Sequence, residues 1–194
     1  MSINYRDLDS WAYWQAPANA DEISSIEALQ QAFHQAYVPG FPAGIDTAAM
    51  DAKLPEVKYV FIGLNSGNAG PIPELFGNFH GKANSGDYRL ATITYGTAAW
   101  GAFMTDLVPI RESKSSAVTI EEASAQNLLS HLAKLGIPES ATLIALGKAV
   151  YTALDGHIPT TRHLEQLMHY SLVNGHWNAA AESAKIQAII AKSN

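Results

Sequence analysis

Apolar positions along this chain follow two different patterns. Val57–Ile62 is mostly apolar, and Ala141–Leu146 is apolar but for Thr142. Both runs are too short for helices and are bounded by turn residues, as strands buried on both faces are. Elsewhere apolar residues recur at three- and four-residue spacing. Ile23, Ile26, Leu29, Ala32, Phe33, Ala36 and Tyr37 predict a helix over about 22–37, capped by Asp21 and stopped by Pro39-Gly40. Ile120, Ala123, Leu128, Leu129, Leu132 and Leu135 predict a second over about 120–135. Thr119 and Glu122 have the spacing of a capping box, and Gly136 ends the helix. Residues 93–110 fit a short helix over about 97–103 and then a strand over about 104–108. Gly147 turns the Ala141–Leu146 strand into a helix over about 148–155. A last strand follows over about 164–168, and Asn178 caps a helix over about 179–192.

Strands that alternate with helices predict an α/β protein. The expected architecture is a three-layer α/β/α sandwich around a mostly parallel sheet of about four strands. We find no repeat or linker, so residues 1–194 are read as one domain. Residues 1–19, with Tyr5, Trp11, Tyr13 and Trp14, are read as an N-terminal arm that packs its rings onto that domain. Residues 64–92 show almost no periodicity and carry five glycines, at 67, 70, 77, 81 and 86, with Pro71 and Pro73. A loop this long in a compact domain is functional or mobile. Its Phe76, Asn78, Phe79, His80 and Lys82 could stack on or bond to a ligand.

Composition narrows the classes. The 194 residues are 47% apolar and 15% charged, which suits a globular domain with a substantial core. There are no cysteines, so disulfides, thiolate zinc sites and Cys-ligated clusters are excluded. No apolar run reaches the ~18 residues that span a bilayer, and the N-terminus lacks a signal-peptide plan. The expectation is a cytoplasmic protein with no membrane partner. The formal net charge is −6, and Arg111 with Lys114 is the densest positive cluster. That weighs against tight non-specific binding to nucleic acid. The histidines at 157, 163, 169 and 176 do not have zinc-site spacing, so no metal and no cofactor are expected.

Candidate chemistry sits where strands end. In parallel sheets, ligands bind outside the carboxyl ends of the strands. Val57–Ile62 runs into Gly63-Leu64-Asn65-Ser66-Gly67-Asn68-Ala69-Gly70, a turn whose glycines allow close backbone approach. Its spacing is not that of a dinucleotide fingerprint, and no P-loop lysine follows. Nor does Ser66 sit in a nucleophile elbow. Three further strand ends follow in order: Thr105-Asp106-Leu107-Val108-Pro109, Leu146-Gly147-Lys148-Ala149 and His169-Tyr170-Ser171.

Over roughly residues 57–190 this order resembles the uracil-DNA glycosylase superfamily, particularly its mismatch-specific and single-strand-selective branches. Those branches have Gly-x-Asn-Pro-Gly after the first strand and a His-Pro-Ser-like loop after the last. The resemblance implies a DNA partner and hydrolysis of the bond between sugar and a flipped, damaged base. Stabilising charge in the transition state is then the main task of the site. It implies that Asn65 positions the attacking water and that His169 bonds the departing base. Gly63, Leu64, Ser66 and Gly67 would line the turn, and Ser171 would approach phosphate. Phe79, or alternatively Phe76, would stack on the base, and Asp106 would read its edge.

Three departures stand out. Ser66 and Tyr170 replace prolines that stiffen the family's loops. Asp106 stands where the family commonly has Asn, and an ionised carboxylate only accepts hydrogen bonds. Opposite uracil O4 it would oppose two acceptors, at a cost of ~1–3 kcal/mol. The expected substrate is therefore a base with an exocyclic amine, unless Asp106 is protonated. A second expectation is a glycosylase-like fold that binds a nucleotide or a protein without catalysis.

Overall fold

The computed structural model describes residues 4–67, 75–171 and 177–193. Its centre is a mixed five-stranded sheet in the order β1-β3-β2-β4-β5. The strands are β1 (Ser10–Trp11), β2 (Tyr59–Gly63), β3 (Phe103–Asp106), β4 (Thr142–Leu146) and β5 (Leu164–Leu167). β2 to β5 run parallel, so all four carboxyl ends open on the same edge, and β1 is antiparallel to β3. Among the described residues the α-helices are α1 (Tyr5–Leu8), α2 (Ile26–Gln35), α3 (Met50–Lys53), α4 (Tyr88–Thr94), α5 (Ser124–Lys134), α6 (Lys148–Leu154) and α7 (Ala179–Lys192).

Strand alternation divides the core in two. Val60 and Ile62 of β2, with Leu143 and Ala145 of β4, pack with Met50 of α3, Leu128 and Leu132 of α5, and Val150 and Leu154 of α6. Tyr59 and Phe61, with Ile144 and Leu146, pack with Leu29 and Phe33 of α2, Leu90 and Ile93 of α4, and Ile186 and Ile189 of α7. Successive strand residues point to opposite faces, so an apolar β2 and β4 can be buried only between two helical layers. Each large aliphatic side chain buried this way contributes about 1.5–3 kcal/mol.

Several boundaries differ from expectation. The sheet has five strands because the N-terminal arm adds a short one. β1 is held by backbone bonds that periodicity does not report, such as Ala12 N–H to Ala102 O at 2.8 Å and Gly101 N–H to Ala12 O at 2.9 Å. Trp11 and Trp14 of the arm are buried. Helix α2 starts at Ile26, four residues later than expected, because Ser25 rather than Asp21 caps it and accepts from Ala28 N–H. Asp21 lies in a 3-10 turn and accepts from the Tyr95 hydroxyl. The Thr119/Glu122 capping box does not form. Helix α5 begins at Ser124, whose hydroxyl accepts from Glu121 N–H.

The largest difference concerns residues 88–103. α4 begins inside the 64–92 stretch expected to be a loop and runs two residues past it, and the helix expected over about 97–103 is absent. All seven α4 residues are buried, so it has no polar face and no amphipathic signal. Residues 97–102 form turns instead, including Trp100 N–H to Thr97 O and Ala102 N–H to Ala99 O. Gly101 adopts φ +81° there, and β3 follows two residues later. Helices α6 and α7 and strand β5 lie within a residue or two of expectation, and Asn178 Oδ1 accepts from Ala181 N–H as a cap.

Candidate active site at the carboxyl ends of the strands

Gly63, the last residue of β2, lies opposite Asp106, the last of β3. Backbone pairing continues past both strands. Leu107 N–H donates to Gly63 O, Val108 N–H to Leu64 O and Glu112 N–H to Ser66 O, each at 2.9 Å. Ser66 also bridges to Arg111. The 63–66 turn is thus held by the 107–112 loop, without the proline that would otherwise stiffen it. Asn65 ties the two together. Its Nδ2 donates to Ser66 O at 2.9 Å and to Glu112 O at 2.7 Å. Two carbonyl acceptors on Nδ2 settle the amide orientation and leave Oδ1 as the atom that can accept from a ligand or a water. Leu64 is half-buried against the core and Gly67 is exposed.

Asp106 is the most perturbed group at this edge. Its Oδ2 accepts from Asn78 Nδ2 at 2.9 Å, while Oδ1 has no exposed surface and no hydrogen-bond partner. The residue as a whole is half-buried, but its carboxyl oxygen decides the titration. Desolvation pushes this carboxyl up to about 7, the Asn78 bond opposes the shift, and the nearby Asp9 carboxylate adds to it. Only glycine fits opposite. A Cβ at Gly63 would collide with Asp106 Oδ1 and lie 2.8 Å from Phe79 Cε1. Carboxyl and aromatic ring therefore converge on one bare stretch of backbone.

Phe79 is half-buried at this point, whereas Phe76 is wholly buried in the core. The Phe76 ring packs 5.8 Å from Tyr5 and 5.5 Å from Phe41, centroid to centroid. This removes Phe76 as a stacking ring. Both phenylalanines hold left-handed backbone, at φ 61° and 69°. Such conformations cost on the order of 1–3 kcal/mol each and persist only when their surroundings impose them. Here the N-terminal arm does so. Phe76 N–H donates to Arg6 O at 2.8 Å, Ser10 Oγ to Phe76 O at 2.6 Å, and Asn78 Nδ2 to Leu8 O at 2.6 Å. His80 Nε2 meets Ser10 Oγ at 2.9 Å, and burial lowers this imidazole to about 4, so it is neutral.

The last strand supplies His169, Tyr170 and Ser171. Ser171 N–H donates to His169 Nδ1 at 3.1 Å, so the proton of the neutral ring sits on Nε2. Burial lowers the His169 pKa, which favours that neutral donor. Tyr170 stacks on His169 at 4.6 Å, and Arg89 Nη1 donates to Tyr170 O at 2.9 Å. Burial and the charges of Asp87 and Asp106 raise the Tyr170 phenol well above its ordinary value. Asp87 is fully buried, and burial raises its pKa. It accepts from Trp14 Nε1 at 2.8 Å, and the Tyr37 hydroxyl lies 2.8 Å from each of its oxygens.

Gly63, Phe79 and Asp106 thus come together. Asn65 stands beside them on the same turn, and His169 with Ser171 stands two strands away. β4 lies between the strands that lead to Asn65 and His169, which sets those strands roughly 10 Å apart. Sequence reasoning missed the Asn78 bond to Asp106, the approach of Tyr170 to Asp106, and Asp87. None of the three carried a local signal, because each depends on contacts between distant segments and α4 itself has no amphipathic pattern. Asn68, Ala69, Gly70, Pro71, Pro73 and His176, also singled out above, lie outside the described residues. Among the described residues, no three His, Asp or Glu side chains gather as a metal site would require.

Two clefts lie away from this edge. One of about 400 Å³ beside β5 is lined by Tyr151, Leu164, Lys185 and Lys192, and its lysines are already paired with Glu182 and Glu165. One of about 250 Å³ lies at the opposite ends of the strands, beside Lys58, Tyr59 and Ala102. Neither includes the perturbed carboxyls Asp87 and Asp106. Comparison with known protein-family models and with curated proteins finds no match for this chain.

Proposed function

We propose that this protein is a divergent relation of the uracil-DNA glycosylases that hydrolyses the N-glycosidic bond of a base flipped out of DNA. The observation that carries the reading is the unpartnered Asp106 Oδ1, held beside the Phe79 ring over bare Gly63 at the carboxyl ends of parallel strands. Recognition of a flipped base needs a flat apolar surface and a few polar atoms that meet its edge. Phe79 serves as the surface and Asp106 meets the edge. Asn65 Oδ1 accepts from the attacking water. His169 Nε2–H faces the departing base from the other side and stabilises its negative charge as the glycosidic bond lengthens. β2 and β5 lie roughly 10 Å apart across β4, a spacing on the scale of one base.

The test is a glycosylase assay on oligonucleotides carrying uracil, hypoxanthine, xanthine or a mismatched base. Release of at least one base is expected, with rates reduced about 100-fold or more in Asn65→Ala or His169→Ala. If no base is released and DNA does not bind, the reading fails. A second reading, a module that binds a nucleotide or protein without catalysis, is favoured by Asn65. Both its amide hydrogens are committed to loop carbonyls. The net charge of −6 also opposes the approach of phosphate. DNA binding without base release would select this second reading.

A further inference from the structure

β5 is an edge strand, paired with β4 on one side and with no strand on the other among the described residues. Backbone groups of successive strand residues point to alternate sides. Leu143 N–H donates to His163 O and Gly147 N–H to Leu167 O, so the odd-numbered residues face β4. Leu164, Gln166 and Met168 therefore turn their backbone groups outward. The Met168 N–H is satisfied, because it donates to Glu182 Oε2 of α7 at 2.8 Å. The N–H and C=O groups of Leu164 and Gln166 have no partner among the described residues. They border the cleft of about 400 Å³ that α6 and α7 flank, one on each face of the sheet. We propose that this open edge of β5 binds an extended peptide by β-strand addition, with acidic side chains toward α7 and apolar ones toward α6.

Main-chain bonds to Leu164 and Gln166 hold such a peptide, and its side chains alternate between the two faces. Charge complementarity sets the chemistry on the α7 face. Lys185 bonds Glu182 at 2.6 Å and Lys192 bonds Glu165 at 2.7 Å. In each pair the lysine is the outer member, 52% exposed over a carboxylate at 2% and 66% over one at 28%. The cleft therefore presents ammonium groups outward, and each has further N–H donors for an incoming carboxylate. Glu182 lies by Met168 and Lys192 by Glu165, so α7 runs antiparallel to β5 and its lysines stand toward the two ends of the open edge. On the α6 face, Tyr151 and Leu164 offer half-buried apolar surface. A second copy suits the edge less well. Antiparallel pairing of two β5 edges would set α7 beside α7 on one face, lysine against lysine, and like charges oppose association. The cleft and its lysines stand apart from Asn65, Asp106 and His169, so peptide binding does not depend on base excision.

The experiment titrates a fluorescein-labelled decapeptide of alternating valine and glutamate against the full chain and reads anisotropy. Amide hydrogen exchange at Leu164 and Gln166 is followed by NMR in parallel. Saturable binding is expected, with exchange of those two amides slowed about tenfold or more. Lys185→Ala and Lys192→Ala should each weaken binding about 2–5-fold, and added salt should weaken it further. Gln166→Pro removes an outward donor while sparing the bonds to β4, and it should weaken binding about tenfold. Peptides N-methylated at every valine or at every glutamate probe the same bonds without altering the protein. The one methylated on the residues that face β5 should lose binding. Absence of binding, equal binding of an alternating valine–lysine peptide, or binding that both N-methylated peptides retain overturns the proposal. So does self-association of the chain that the peptide fails to displace and Gln166→Pro abolishes, since the edge would then belong to a second copy.

Discussion

Replacing Asp106 by Asn tests the state of the buried carboxyl independently of any substrate. The folded protein holds this proton to about 7, whereas an unfolded aspartate holds it only to ~3.9. The folded state therefore binds more protons between those values. The associated stability is fully present below the unfolded value and is lost as pH rises through the folded one. A gap of ~3 pKa units corresponds to about 4 kcal/mol in total, of which about 2–3 kcal/mol falls between about pH 5 and pH 8. The side-chain amide of the variant is neutral throughout, and its oxygen can still accept from Asn78. Other titrating groups, Asp87 included, are common to both proteins and cancel in the difference. Urea denaturation of wild type and Asp106→Asn at one-unit pH intervals reads that difference directly. The variant should gain about 2–3 kcal/mol on the wild type across this range, with its steepest rise below the midpoint. Stability curves that stay parallel would show that the carboxyl is not held protonated by burial, and the site would lose its donor form.

Four other outcomes follow from the packing and hydrogen bonds. Gly63→Ala must displace Asp106 Oδ1 and the Phe79 ring, so denaturation should show a loss of about 1–3 kcal/mol. Gly44→Ala, with nothing within 4 Å, should stay within about 0.5 kcal/mol. Trp14→Phe keeps the buried ring but removes the donor to Asp87 Oδ2, and thermal unfolding should report a cost of about 1–3 kcal/mol. Asn65→Ala strips the Glu112 carbonyl of its side-chain donor, which should cost about 1 kcal/mol in urea. Any loss of base release in that variant should persist at temperatures where both proteins are fully folded.

Strands β2 and β4 were legible because burial on two faces leaves a local mark. Val60 through Ile62 and Leu143 through Leu146 must be apolar on both sides to sit between helical layers. The same logic explains what was lost. α4 is buried all round, so the amphipathic period that marks a helix is absent and its residues read as loop. The capping box failed for a different reason: α5 begins at Ser124, beyond both Thr119 and Glu122, after a turn in which Glu121 N–H donates to Ser124 Oγ.

The candidate site divides along the same line. Sequence alone determined which residues stand at the strand ends, because a parallel α/β order places Asn65, Asp106 and His169 on one edge wherever the side chains point. It also determined that Asp106 could not act as an Asn unless protonated, since a carboxylate has no hydrogen to donate. Tertiary structure decided the rest. It buried Phe76 in the core and left Phe79 half-buried at the edge, spent the Asn65 amide on two loop carbonyls, and closed an arm over residues 75–80. It also set Asn78 on one oxygen of Asp106 and left the other alone. These are contacts between segments about 30 to 70 residues apart, from Asn78 to Asp106 and from Leu8 to Asn78. A chain records its own local preferences, but a proton's affinity for one oxygen depends on what the fold brings within 3 Å of the other.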